Sequence, residues 1–341
     1  MKQTRSLTAR NVIGTLAIPV ITAAILLAIC AANGKTLLGN RTSLNYFVLY
    51  TAIVMITTMA LSINLNSGRF DFSLGAMAVL ASVLSSKITY AVLAGGAGSA
   101  WMMLALNIVI GAVIGLLSGA LYVTLRIPPI ITSLGVTLIY EGVTFTLTSG
   151  KYVMDEVRNA SMTAFSNNWY WSLLVIVVVL AGIIYLFDHT KFGYDYKALQ
   201  SGQKVAVNTG IREVPNALWC YLFCGALMGI VGFLNTVRSS NINGGSLGFG
   251  SIGIMFTAFL PMFIGGYIGR FSNDKLGYLL AAVCMSLLNS TFAVFSNEIG
   301  ASAQSIINAV LLVVFLIYLN NEGLLRKILS PGKKAGAGTQ S

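Results

Sequence analysis

Residues 196–212 read YKALQSGQKVAVNTGIR, a polar, basic interval between two long apolar runs. The runs on either side make the chain a membrane protein, and the interval is the best candidate for the place where work enters it from water. Gly202, Ala206 and Gly210 recur at every fourth position. On a helix that spacing lines one face with almost no side-chain bulk, so another backbone can approach closely. Gly210 stands where such a helix stops, because glycine readily takes the left-handed conformation beyond a helix end. An ordinary cytoplasmic loop with a short amphipathic helix fits the same pattern.

The flanking sequence sets the class. Of 341 residues, 56% are hydrophobic and only 9% charged, with a mean hydropathy of +0.80. A soluble domain carries about 25% charged residues, so a soluble enzyme is excluded and a polytopic membrane protein remains. The net charge of +11 raises nucleic-acid binding. Membrane proteins collect Lys and Arg in cytoplasmic loops for topology, so no nucleic-acid partner is expected. Cys30, Cys220, Cys224 and Cys284 all lie in apolar runs. They read as small hydrophobes, with neither a disulfide nor a metal.

A helix crosses a bilayer with about 20 apolar residues. About ten runs qualify: 12–32, 44–64, 72–90, 101–125, 130–149, 169–187, 216–236, 251–269, 276–295 and 303–319. The first follows Lys2, Arg5 and Arg10, as a signal peptide would. It exceeds the roughly 7–15 residue apolar core of one, and no A-x-A site follows. Leu27-Ala28-Ile29-Cys30 has the outline of a lipoprotein site, but bulky Ile29 argues against it. The run is read as an uncleaved first span.

Backbone in lipid must satisfy itself, so the spans are helices and the fold is all-α. The expected organisation is a cytoplasmic segment 1–11, a membrane domain 12–320 with a cytoplasmic loop at 188–215, and a cytoplasmic tail 321–341. With the N-terminus inside, 15 of the 21 Lys and Arg fall on the inner side. Lys35, Arg41, Lys87, Lys151, Arg158 and Arg238 fall outside or near it. That bias places both termini, and residues 196–212, in the cytoplasm. Gly111, Gly115 and Gly119, with Gly225 and Gly229, have the small-xxx-small spacing of close helix contact.

Ala198, Leu199, Gly202, Ala206, Gly210 and Ile211 together resemble the coupling-helix signature of ABC importer permeases. More narrowly, they resemble the ribose/xylose/galactoside-type sugar permease family. In that family this helix docks into a groove on a separate ATPase subunit. The resemblance implies an ATPase-coupling set of Lys197, Ala198, Leu199, Gly202, Gln203, Lys204, Ala206, Gly210 and Ile211. Gln203 stands where the family usually has Asn, and Ala206-Val207 where it has two alanines.

Three stretches break the apolar pattern. In 64–75, NLNSGRFDFSLG, Asp71 can cap the third helix with Ser73 in its first turn. Phe70-Asp71-Phe72-Ser73-Leu74-Gly75 also resembles the family's Ile-Asp-Leu-Ser-Val-Gly element. Arg69 replaces the preceding glycine. The resemblance implies that Asn64, Asn66, Asp71 and Ser73 lie near the pathway or its cytoplasmic gate.

In 126–135, RIPPIITSLG, Pro128 and Pro129 force an extended entry. The following segment, with Thr132 and Ser133, reads as a broken or partly re-entrant helix. The family has a very similar Val-Pro-Pro-Phe-Ile-Ala-Thr-Leu-Gly run. Glu141 lies in the same segment, and an intramembrane carboxylate is a functional candidate. A place near the outer interface, or a bond to Thr144, accounts for it equally.

The third stretch, 238–251, is a Gly-, Ser- and Asn-rich outer loop. It either lines the entrance, faces an external partner or is a solvated connector. Phe263-Ile264-Gly265-Gly266 resembles the family's Ile-Gly-Gly element. Gly68-Arg69-Phe70 and Gly269-Arg270-Phe271 repeat a tripeptide and hint at internal duplication.

The chain has no Gly-x-x-x-x-Gly-Lys-Ser/Thr loop and so no means of binding ATP phosphates by that motif. Its one histidine, His189, has no ligand cluster. No catalytic residue, metal or cofactor is expected.

The resemblance implies a multi-pass permease in the cell membrane of a prokaryote, carrying a monosaccharide. Its partners would be an ABC ATPase, a second permease protomer (identical or homologous) and an extracytoplasmic substrate-binding protein. A nucleoside or autoinducer-type sugar fits the same class. The rivals are an ion-coupled secondary sugar transporter and a membrane-embedded enzyme. The first normally uses buried carboxylates. The second needs a His, Asp or Glu cluster that the sequence lacks.

Overall fold

A computed structural model describes residues 9–320. The segment 1–8 and the tail 321–341 lie outside the described residues. The described residues divide into two compact units, one ending at Val294 and the other beginning at Phe295. In the first unit the helices are α1 (Ala9–Ala32), α2 (Arg41–Asn66), α3 (Leu74–Leu93), α4 (Ser99–Leu125), α5 (Pro129–Thr148), α6 (Ala160–Ser166), α7 (Trp169–His189), α8 (Lys191–Ser201), α9 (Gln203–Asn208), α10 (Glu213–Ser239), α11 (Ile252–Phe256), α12 (Phe259–Gly269) and α13 (Asp274–Val294). Strands β1 (Tyr152–Val153) and β2 (Ile242–Asn243) pair antiparallel, Tyr152 opposite Asn243. The described part of the second unit contains α14 (Ala301–Asn320), an apolar helix.

Among the described residues ten helical stretches are long and apolar enough to cross a membrane, the eighth running through α11 and α12. Each matches one run found in the sequence, with every edge within three residues. α2 and α10 are the most enclosed spans and form the core of the first unit. α10 packs on α2, α3 and α4.

The contact with α4 depends on glycine. Gly111 and Gly115 face Gly225 and Gly229, and a Cβ on any of these four would collide with the opposite backbone. Lipid tails are as apolar as leucine, so close van der Waals contact between backbones drives such pairing.

Two expectations are corrected. The fifth span is not broken. α5 runs continuously from Pro129, with Pro128 extended at φ −52°, ψ 136° as its cap. Proline suits the first helical position, where its missing N–H would have no partner and its φ is already set. Thr137 and Ser133 bond back to their own helix, Thr137 to the Ser133 carbonyl at 2.7 Å and Ser133 to that of Ile130 at 2.9 Å.

The broken span is the eighth, where α11 and α12 are separated at Thr257-Ala258. There Ala258 N–H bonds three residues back to Met255 and Thr257 Oγ1 donates to Ile254. The single helix expected over 196–212 is likewise two helices, α8 and α9, parted at Gly202.

Candidate functional site

α8 and α9 form a knob with a fixed base. Thr190 caps α8, accepting from Gly193 N–H. Tyr196 is buried and donates to the Ile63 carbonyl near the end of α2, at 2.9 Å. Leu199 is buried beside it. Lys197 turns onto Asp188, which Lys275 of α13 also reaches at 3.1 Å. Tyr196, Lys197 and Leu199 thus tie α8 to α2, α7 and α13 and support the knob from behind. Burial pushes the Tyr196 phenol well above its ordinary range, so it stays a neutral donor.

α9 is the outer part. Its C-terminus closes with Gly210 at φ +92°. Gly210 N–H bonds to the Val207 carbonyl and Ile211 N–H to that of Ala206, the paired bonds of a Schellman motif. The small residues do not form a continuous bare stripe. Gly202 is the break before α9, Gly210 is its stop, and Ala206 points inward and is buried. What α9 offers outward is apolar: Val205 is 69% exposed and Val207 42%. Gln203 and Lys204 are exposed on the same short helix. The sequence signal for this surface was Val205 itself, an apolar residue in a polar interval.

Behind the knob runs a polar chain that the sequence did not reveal. Gln203 Nε2 donates to Glu213 Oε1 at 2.6 Å. The same oxygen lies 3.7 Å from Arg69 Nη2. The Arg69 side chain is only 5% exposed, and its Nη1 has no hydrogen-bond partner among the described residues. Two residues on, Asp71 is buried and accepts from Ser73 N–H at 2.8 Å, Ser73 Oγ at 2.6 Å and Asn64 Nδ2 at 3.3 Å. Asp71 therefore orders the turn before α3, while Ser73 occupies the cap position. Burial raises its carboxyl above the ordinary range, opposed by the two Ser73 bonds. Asn66 is exposed and lines a small hollow with Tyr278 and Lys275.

Glu141 has partners far away in sequence. It is 2% exposed and accepts from Phe249 N–H at 2.9 Å, Ser251 N–H at 2.8 Å and Ser251 Oγ at 2.6 Å. The stretch 244–251 is thus tied down at both ends, while residues 245 and 247–250 between them are exposed. It leaves β2, packs against Thr148 at Gly244 and reaches Glu141 at Ser251. Thr148 and Glu141 are seven residues apart on α5, about 10 Å of descent. Irregular backbone at that depth must be satisfied by protein, and Glu141 takes two of its N–H groups.

Phe249 holds φ +71°, a costly conformation for a bulky residue. Its N–H is one of those Glu141 binds. The bend leads into α11, whose N-cap is Ser251, so the carboxylate also sits where a helix terminus favours negative charge.

Of the sequence candidates, Asn64, Asp71 and Ser73 form one network. It adjoins the Glu141 clamp, since Gly75 packs directly on the Ser251 backbone. Pro128, Pro129, Thr132 and Ser133 lie elsewhere. Thr132 is nine residues from Glu141 along α5, about 14 Å away.

The model of the family described as "Branched-chain amino acid transport system / permease component" matches residues 43–319. The chain is 23% identical over 318 residues to the fructose import permease protein of Bifidobacterium longum, covering 88% of this chain and 90% of that one. It is 22% identical over 286 residues to the ribose import permease protein of Escherichia coli, covering 80% and 84%. Over 187 residues it is 26% identical to the autoinducer 2 import system permease protein of Photorhabdus laumondii, covering 53% and 54%. No solved structure matches.

Proposed function

Because the chain belongs to the family of branched-chain amino acid transport system permease components, we propose that it is the membrane subunit of an ATP-driven importer of a neutral monosaccharide. It is a multi-pass protein of the bacterial inner membrane. The observation that carries the proposal is α9, a short, capped helix that holds Val205 and Val207 out into water on a rigid base. An apolar pair held out on an ordered element supports docking by another protein.

A separate ATPase subunit would grip α9, on the cytoplasmic side, and carry all ATP hydrolysis. Lys204, Gln203 and Gly210 would rim the contact, while Lys197, Ala198, Leu199, Ala206 and Ile211 hold its shape. A push on α9 would reach the interior through Gln203, Glu213 and Arg69 to the Asn64–Asp71–Ser73 turn, beside the Glu141 clamp. A second permease protomer would complete the pathway, and an external binding protein would deliver the solute.

A sugar is favoured over an amino acid by chemistry. A zwitterion needs a free cation and a free anion in its path, and Glu141 and Asp71 are both already committed to protein donors. The relatives named for fructose and ribose import point the same way.

Reconstitution tests the reading. Vesicles containing the permease, its neighbouring ATPase and its binding protein should accumulate sugar only with ATP inside. Uptake by the permease alone, driven by a proton or sodium gradient, would replace this reading with a secondary transporter.

A further inference from the structure

Above the Glu141 clamp lies a cavity of about 300 Å³, at the small end of the roughly 300–1,000 Å³ range of small-molecule sites. Its floor is Gly250 and Ser251, the residues the clamp fixes. Ala78 and Ser82 of α3 and Gly232 of α10 form the inner wall, and Asn235, Asn243 and Ser246 the rim.

The lining is polar in a particular way. Asn243 Oδ1 accepts from Gly245 N–H, which leaves its Nδ2 free. The Asn235 amide and the Ser246 hydroxyl make no hydrogen bond among the described residues. These groups offer donors and acceptors without charge. Arg238 is the single ionisable residue in the lining. Its guanidinium donates to Tyr46 Oη at 3.1 Å and lies over the Tyr50 ring at 5.5 Å. No carboxylate lines the cavity among the described residues. A neighbouring hollow of about 450 Å³, around Arg158 and Asn159, has neither the clamped floor nor the α3 wall.

We propose that this cavity is a receiving site for a neutral polyhydroxylated solute of monosaccharide size, with Asn235, Asn243 and Ser246 reading its hydroxyls and the Glu141-held segment closing its floor. The inference rests on the importer reading and adds to it that the permease itself selects its cargo. A site built to hydrogen-bond hydroxyls rejects a solute that lacks them, because its own polar groups are then left without partners. The bond from Phe249 N–H to Glu141 holds the strained residue in place, so the floor keeps one shape.

The test uses the whole importer in proteoliposomes, with radiolabelled D-fructose, D-ribose and, as an acidic probe, D-glucuronate. Asn235→Leu and Asn243→Leu should each lower the maximal uptake of the transported neutral sugar by roughly tenfold or more, a few hydrogen-bond contributions. Co-purification with the ATPase is the control for folding. Independently, Ser246→Cys should react with a membrane-impermeant maleimide, and the transported sugar should slow that reaction. Neutral sugar uptake within twofold of wild type in both leucine variants, or no protection of the cysteine, overturns the cavity and leaves the importer standing. Uptake of D-glucuronate but of neither neutral sugar overturns both.

Discussion

Glu141 draws its hydrogen bonds from residues 108 and 110 positions away in the chain. The sequence marks it as unusual, a carboxylate in an apolar run, but a single chain read in order gives no sign of partners at that distance. The same holds for Arg69 and Glu213, 144 residues apart yet joined through one oxygen. Local chemistry was legible where partners are local: Asp71 with Ser73, Gly210 at its helix stop, Pro129 at its helix start.

At this scale Glu141→Gln is informative. The amide keeps one acceptor but turns two N–H donors toward a segment that already donates. Hydrogen bonds to a charged group contribute about 1.5–3 kcal/mol each, so the variant should lose about 2–3 kcal/mol against denaturant in detergent. Proteolysis within 244–251 should also accelerate. An unchanged midpoint would mean the carboxylate does not hold the segment.

Helices were the most legible elements, because twenty apolar residues in lipid admit almost no other structure. Their interruptions were misread for a physical reason. Two prolines in RIPPIITSLG look like a break, but at a helix start they are favourable, and threonine and serine satisfy their hydroxyls on the preceding turn. The true break at Thr257-Ala258 is set by Pro261, whose missing N–H leaves the Thr257 carbonyl without its helical donor, yet the two residues deviate little from helical angles. The α8–α9 division falls at Gly202, whose spacing with Ala206 and Gly210 suggested continuity.

Three element-scale outcomes follow from the packing. First, a Cβ at Gly202 meets only Val205 within 4 Å. Gly202→Trp should therefore insert and fold normally, yet fail to co-purify with the ATPase and fail in uptake. Co-purification at the wild-type level would count against the knob as the docking element.

Second, the α4–α10 seam has no room for side chains. Gly225→Leu should cost about 3 kcal/mol or more, seen as lost monodisperse protein on size exclusion. Gly142→Ala, in open space on α5, should be neutral or stabilising by about 0.5–1 kcal/mol.

Third, the link from α9 to the α2–α3 turn should show in a cycle of Arg69→Gln and Glu213→Gln read on ATP-driven uptake. The expected coupling is about 1 kcal/mol, modest because Glu213 is a third exposed. Strict additivity would remove Glu213 from the relay.

For the whole molecule, energy input and solute entry would lie at opposite ends of the same few elements. α10 begins beside the knob at Glu213 and ends at the cavity with Asn235 and Arg238. α2 ends against Tyr196 and carries Asn64 into the turn that abuts the clamp. The Lys and Arg bias read from the sequence, which would put these ends in cytoplasm and exterior, is independent of the packing.

The most direct check is the reactivity of Val205→Cys, which adds a thiol on the outermost side chain of α9 while the four natural cysteines are buried. With a membrane-impermeant maleimide it should label in inside-out vesicles and not in sealed cells. Adding the ATPase subunit should slow that labelling at least tenfold. Labelling from the outside of sealed cells, or a rate indifferent to the ATPase, would contradict the claim that another polypeptide drives this chain through α9.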